Sequence, residues 1–123
     1  MSNDPLLDKF GELLMKRVRD KAIADWERIV GGQMKGVTAE RVRQQLASFN
    51  DEEKATVLKL VPQIVDSTIH HLLFTIEQEN SIEVRVSDAN LPPQNVREAS
   101  DGLSGEPYGN NGWIARFSSR RQA

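Results

Sequence analysis

The residues whose types and spacing could do chemistry are few, and the two histidines come first. His70 and His71 are adjacent, so on a helix their side chains point about 100° apart and cannot easily bind one metal ion. Asp66 lies one helical turn before His70, which allows an Asp–His pair. The chain has no cysteine to complete a metal site. A hydrogen-bonded histidine near the core is the plainer interpretation, and no metal-binding or catalytic residue is assigned.

Ser104 is the residue that a nucleophile motif would need, but its spacing is wrong. It lies in Gly102-Leu103-Ser104-Gly105, where the second glycine comes one residue too early for the G-x-S-x-G turn. The glycines match neither a phosphate-binding loop nor a dinucleotide fingerprint. Asp88-Ala89-Asn90 begins like a calcium loop but lacks its later glycine and acids. We therefore predict no cofactor and interpret the chain as a non-enzyme.

The stretch from Ser100 to Ser119 concentrates glycine, asparagine and aromatic residues. It holds four of the chain's eight glycines and its one tyrosine. Aromatic side chains on a shaped loop commonly anchor protein partners, and the neighbouring carboxylates could hold a basic partner. We predict four partner-binding residues here: Asp101, Glu106, Tyr108 and Trp113. The alternative for the two rings is that they cover the core.

Charge is unevenly spread along the chain. Its net charge is −2, with 16 basic and 18 acidic residues. The acids outnumber the basic residues strongly between residues 61 and 115, where only Arg85 and Arg97 are basic. An acidic second half favours a basic protein partner and argues against nucleic acid. The arginines from Arg116 onward are interpreted as a solvated tail.

Length and composition indicate one domain over residues 1–123. The lack of cysteine agrees with a reducing cytoplasm, where we expect the protein to act. The N-terminal MSNDPLLDKF lacks the basic start and apolar run of a signal peptide. The most apolar window, Val57 to Ile76, is interrupted by charged and polar residues, so no membrane association is expected.

Three to four helices are predicted for the N-terminal two-thirds. The first begins at Asp4 and Pro5 and ends at Gly31-Gly32. Its apolar stripe is predicted to contain Phe10, Leu14, Val18, Ala22, Trp26 and Ile29 or Val30. A second helix starts near Thr38, with Val42, Leu46 and Phe49 facing inward.

The next helix opens at Asn50 with a capping box. Pro62 predicts a kink in it, or two helices that meet at Leu60–Val61.

Strands are predicted only near the C-terminus. Strict alternation over Ser81–Ser87 predicts a half-buried strand, and Asp88–Gln94 is expected to be a loop. Asn111-Gly112 predicts a hairpin turn between a strand at Glu106–Tyr108 and a second at Trp113–Phe117. The fold class is therefore α+β, with helices packed on a small antiparallel sheet.

These observations favour a small protein-interaction module. One concrete form is an inhibitor or immunity-type protein whose acidic half masks a basic partner. The competing hypothesis is a ligand-binding protein or enzyme with a pocket around His70, Asp66 and Glu106. A third alternative is a homodimer formed through the long first helix.

Overall fold

The computed structural model describes residues 4–121, so the first three residues of the N-terminal segment considered above lie outside it. The predicted α+β class is confirmed. The elements follow in the order α1 (Pro5–Leu14), a π-helical segment (Met15–Arg19), α2 (Asp20–Val30), α3 (Val37–Gln45), α4 (Asp51–Gln78), β1 (Arg85–Asp88), β2 (Leu91–Asn95), α5 (Val96–Ala99), a 3-10 turn (Leu103–Gly105) and α6 (Trp113–Phe117).

The ends of the first long helix are confirmed. The Asp4 carboxylate accepts hydrogen bonds from the backbone N–H groups of Leu6 and Leu7, at 2.9 and 3.1 Å. Pro5 is the first helical residue, where its missing N–H costs nothing. The helix ends before Gly31, and Gly32 follows with a φ of 79° that suits glycine.

The predicted apolar stripe of this helix is wrong in its middle. Val18 was expected to face the core but is exposed, whereas Met15 and Arg19 are buried. The cause is the π-helical segment, which fits an extra residue into one turn and so rotates the following residues. Beyond it Ile23, Ile29 and Val30 face inward.

Helix α4 is continuous from Asp51 to Gln78 and runs through Pro62. Its capping box is present as predicted, with Asn50 and Glu53 exchanging side chain-to-backbone hydrogen bonds of 2.8 and 2.9 Å. The alternative of two helices meeting at Leu60–Val61 is therefore wrong, while a bend at Pro62 stays a prediction.

The sheet pairs different segments from those predicted. Its two antiparallel strands are β1 and β2, so Leu91–Asn95, expected as a loop, is the second strand. Arg85 lies opposite Asn95, and Asp88 lies opposite Leu91. Both strands of a two-stranded sheet are edges, which is why Pro92 and Pro93 are tolerated without donating a ladder hydrogen bond.

The predicted second strand at Trp113–Phe117 is instead the helix α6, and Asn111-Gly112 leads into it rather than closing a hairpin. Its first N–H groups are satisfied by chain carbonyls, because Trp113 donates to Glu106 at 2.9 Å and Ile114 to Pro107 at 3.1 Å. Residues 106–108 form no strand. A five-residue alternation places its first and last residues on one face in a strand and in a helix alike, so the pattern alone did not decide.

The core lies where α1, the π-helical segment and α4 meet the C-terminal elements. Its buried side chains are Leu7, Leu14, Met15, Ile69, Leu73, Ile76, Val96, Leu103 and Trp113. The C-terminal segment is thus packed against α4 through Leu103 and its neighbours. One domain over residues 1–123 stays a prediction, since its two ends lie outside the described residues.

Candidate functional site

The candidate site is the surface where the segment between residues 100 and 112 crosses α4. Tyr108 lies over that helix, with its hydroxyl donating to the backbone carbonyl of Asp66 at 3.5 Å. The centre of its ring is 6.3 Å from the His70 ring. The side chain of Tyr108 nevertheless stays 42% exposed. It therefore presents one ring edge to the helix and the rest to solvent.

Phe74 and His70 extend this aromatic surface along α4. They lie four residues apart and therefore on one helix face. Their rings are nearly parallel, with centres 6.3 Å apart and planes 19° from each other. Phe74 is 45% exposed, so two large aromatic side chains flank His70 with much of their surface in water. An exposed apolar cluster of this kind commonly marks an interaction surface.

A carboxylate is fixed at the edge of these rings. Glu77, three residues after Phe74, accepts hydrogen bonds from the Ser104 backbone N–H at 3.0 Å and its hydroxyl at 3.2 Å. The Ser104 N–H, followed by the Gln78 amide, holds the pKa of Glu77 below its usual value. The carboxylate thus stays ionised and ties the 3-10 turn to α4. Sequence reasoning missed both Phe74 and Glu77, although their spacing from His70 along a helix was visible.

Glu106 lies on the same surface, and one of its carboxylate oxygens is hydrogen-bonded within the chain. Its carboxylate accepts a hydrogen bond from the Ser100 hydroxyl at 2.6 Å. It also lines an open cavity of about 230 Å³ together with Tyr108, Asn111 and Gly112. We call this set of side chains, namely His70, Phe74, Glu77, Glu106 and Tyr108, the Tyr108 face. Asp101 is exposed on the adjoining loop and forms no ion pair with any other described residue.

Trp113 does not belong to this surface, which corrects its prediction as a partner contact. It is 1% exposed and packs edge-to-face against Phe10, with ring centres 5.8 Å apart. A Cβ on Gly11 would lie 2.5 Å from two atoms of its ring. The indole is therefore a core side chain seated on a glycine of α1, because a larger residue there would collide with it.

The three residues of the alternative pocket have separate partners. Asp66 binds Arg19, Glu106 binds Ser100, and His70 stacks on Phe74. The cavity lined by Glu106 contains neither His70 nor Asp66 in its walls. A general acid–base site needs its groups within reach of one substrate atom. The cavity that Glu106 lines therefore does not bring the three groups together.

A buried ionic cluster underlies the Tyr108 face, and no sequence pattern indicated it. Arg19, at the end of the π-helical segment, is 1% exposed. Its Nε and Nη2 donate to the two carboxylate oxygens of Asp66, at 2.6 and 3.3 Å. Its Nη1 donates to the Ser118 hydroxyl at 2.9 Å. A buried guanidinium with all these acceptors is satisfied rather than stranded.

Asp20 joins this cluster to the C-terminal segment. It accepts hydrogen bonds from the Ser118 hydroxyl at 2.6 Å and the Ser119 N–H at 2.7 Å. Burial raises the pKa of Asp20, but these hydrogen bonds and the Arg19 charge outweigh burial, so the pKa lies below its usual value. Above the cluster, burial and the Asp66 charge raise the pKa of Tyr108, with Arg19 opposing. Tyr108 therefore remains a neutral hydrogen-bond donor at pH 7.

In the part of the chain that the structure describes, no group of three or more His, Asp and Glu residues is placed to hold a metal ion. No helix in residues 4–121 combines the length and hydropathy that a membrane span requires. Comparison with family models, with curated proteins and with solved structures found no match to this chain.

Proposed function

We propose that this chain is a small, non-enzymatic protein-interaction module that binds a basic partner through the Tyr108 face. The observation that carries the proposal is the pair of exposed rings, Phe74 and Tyr108, held on either side of His70. Aromatic side chains are enriched among the residues that dominate binding energy. Burying both rings against a partner would remove a large apolar area from water.

Preorganisation supports this role. Tyr108 is held by the Asp66 carbonyl, and its segment is tied to α4 through Ser104 and Glu77. A ring that is already fixed loses little conformational freedom when a partner covers it. The face can therefore act as a rigid anchor rather than as a loop that must fold on binding.

Charge supports a basic partner. The carboxylates of Glu77 and Glu106 border the rings, and Asp101 lies on the adjoining loop. The hydrogen bond from the Ser104 N–H holds the pKa of Glu77 below its usual value. Such charges accelerate the approach of a basic protein. An arginine or lysine of that protein could also lie over the Phe74 or Tyr108 ring.

The kind of partner and the compartment follow from the same features. An inhibitor or immunity-type protein that masks a basic enzyme is the concrete form we favour, since such a role needs a preformed acidic and aromatic face and no chemistry. The absence of cysteine agrees with action in the cytoplasm. Nucleic acid is a poor partner for this face because its phosphates would be repelled by the carboxylates.

Affinity capture followed by reconstitution tests this function. Proteins retained by the immobilised chain from an extract of its source are identified, purified and titrated calorimetrically against the chain. We expect a basic partner whose binding weakens by about 2 kcal/mol or more with Tyr108→Ala and with Phe74→Ala. Leu91→Ala is the matched control, since Leu91 is 40% exposed but lies on β2. A partner whose affinity is indifferent to both ring substitutions would refute the proposal.

A further inference from the structure

A second surface, separate from the Tyr108 face, lies between α2 and the N-terminal half of α4. Here the two helices leave a groove of about 200 Å³. Its walls are formed by six apolar or aromatic side chains: Trp26, Val57, Leu60, Val61, Ile64 and Val65. We call it the α2/α4 groove.

The groove is open to solvent along its length. Ile64 is 62% exposed, and Leu60 is exposed as well. Val18 lies two helical turns before Trp26, and Leu72 lies two turns after Ile64. Both are exposed. Large exposed apolar side chains are therefore also present beyond the groove on both sides of it.

A small polar ligand does not suit this groove. Binding sites for small molecules place a few polar groups among apolar walls to orient the ligand. None of the six wall residues has a charged or amide side chain, and only the Trp26 indole can donate a hydrogen bond. Two helices with an open apolar seam instead match the site into which a third, amphipathic helix packs.

Cations border the groove. On the π-helical segment and α2, the charged residues nearest to these apolar side chains are Arg17, Lys21 and Asp25. On α4, Glu53 and Lys54 both lie one turn before Val57, and the Glu53 carboxylate accepts a hydrogen bond from the Asn50 N–H at 2.9 Å. The three cations form no ion pair with any other residue of the described range 4–121. Three unpaired cations thus lie beside two acids, of which Glu53 is engaged by the backbone, and the border of the groove is positive on balance.

This charge also distinguishes a partner from a second copy of the chain. In a two-fold symmetric dimer the same patch forms both sides of the interface. A second copy would bring its own three cations against the first set, which repels. A helix with acidic residues beside its apolar stripe would instead meet complementary charge.

We propose that the α2/α4 groove binds an acidic amphipathic helix of a protein partner, as a docking surface distinct from the Tyr108 face. The apolar stripe of that helix fills the seam between Trp26, Leu60 and Ile64. Its carboxylates lie against Arg17, Lys21 and Lys54.

Two designed peptides of about five helical turns provide the probes. Both carry leucine at positions i, i+3, i+4 and i+7 and alanine at most other positions. The positions that flank the leucines are glutamate in one peptide and lysine in the other. Binding is followed by anisotropy of a labelled peptide and by the emission of Trp26, which we expect to shift to shorter wavelength as its ring is covered. Trp26→Phe identifies that signal, because the other tryptophan, Trp113, is buried.

The acidic peptide is expected to bind at least about tenfold more tightly than the basic one at low salt, with the difference shrinking as salt is added. Arg17→Glu with Lys21→Glu should reverse this preference. The matched control is Lys35→Glu with Arg41→Glu, which changes net charge equally at exposed residues outside the groove walls. Ile64→Asn should weaken binding of the acidic peptide, and Leu91→Asn should not.

Three results would overturn the proposal. The first is that neither peptide binds, or that both bind equally. The second is that the control pair of charge reversals changes the preference as much as the rim pair. The third is a dimer in light scattering that Ile64→Asn dissociates, which would assign the groove to a second copy. None of these outcomes bears on the Tyr108 face, which the substitutions leave intact.

Discussion

Arg19 and Asp66, 47 residues apart in the chain, form a bidentate ion pair in which both carboxylate oxygens of Asp66 accept a hydrogen bond from the guanidinium. The pair ties the π-helical segment to the middle of α4. The backbone carbonyl of the same Asp66 accepts the Tyr108 hydroxyl, so the buried pair lies directly beneath the proposed binding face. Tyr108 and the buried charge of Arg19 thus contact the same residue of α4, the first through its backbone carbonyl and the second through its carboxylate.

Removing that charge should destabilise the fold. Arg19→Leu leaves Asp66 and Asp20 without their cation, and we expect a loss of about 3–5 kcal/mol in the free energy of unfolding. Urea unfolding followed by circular dichroism measures it. Arg17→Leu, at an exposed position two residues earlier, should change stability by less than about 0.5 kcal/mol. Equal effects of the two substitutions would mean that the buried pair contributes nothing specific.

Stability should depend on pH through Asp20. Its pKa in the folded protein lies below the ordinary value of 3.8, so its contribution is complete above that pH and is lost as pH falls through the lower, folded value. In Asp20→Asn this part of the dependence is absent. Unfolding free energies between about pH 2 and pH 7 should fall more steeply at the acid end for the wild type than for the variant. Parallel curves would contradict this.

Gly11→Ala should destabilise the protein although alanine is the better helix former. Alanine gains roughly 1 kcal/mol in helix propensity, but its Cβ would lie 2.5 Å from ring atoms of the buried Trp113. Overpacking of that kind costs about 1–3 kcal/mol, and a fixed indole cannot move aside cheaply. We expect a net loss together with a changed near-ultraviolet signal of Trp113. Gly105→Ala, where an added Cβ meets nothing within 4 Å, is the control and should be neutral.

Glu77 should control the order of the segment that carries Tyr108. Glu77→Ala removes the acceptor of the Ser104 N–H, so we expect that amide to exchange with solvent about tenfold faster. Hydrogen exchange followed by NMR reports it residue by residue. Glu98→Ala, at an exposed carboxylate, should leave the Ser104 rate unchanged. An unaltered rate in Glu77→Ala would show that the 3-10 turn is held by other contacts.

Local signals predicted the helix ends because capping is a short-range interaction. Asp4, Pro5, Asn50 and Gly32 each act through neighbours within a few residues, and all were interpreted correctly. The π-helical segment was not predicted. That segment places Arg19 against Asp66, 47 residues away, a contact that no window of a dozen residues contains.

The predictions for the C-terminal segment failed for a similar reason. Trp113–Phe117 fits a strand and a short helix equally well by pattern, and carbonyls of Glu106 and Pro107 decide for the helix. The predicted site residues Asp101, Glu106 and Tyr108 lie on or beside one surface, whereas Trp113 is in the core. Phe74 and Glu77 were missed because their role appears only when the distant segment 100–112 lies across α4.

Photo-crosslinking from position 108 tests the central proposal most directly. Tyr108 is replaced by benzoylphenylalanine, which preserves an aromatic ring there, and Leu91 is replaced likewise as the control in cells of the source. The account predicts a crosslinked basic protein from position 108, absent from position 91 and lost when Phe74→Ala is added. Crosslinks of equal yield from both positions, or none from position 108 while the chain is folded, would contradict it.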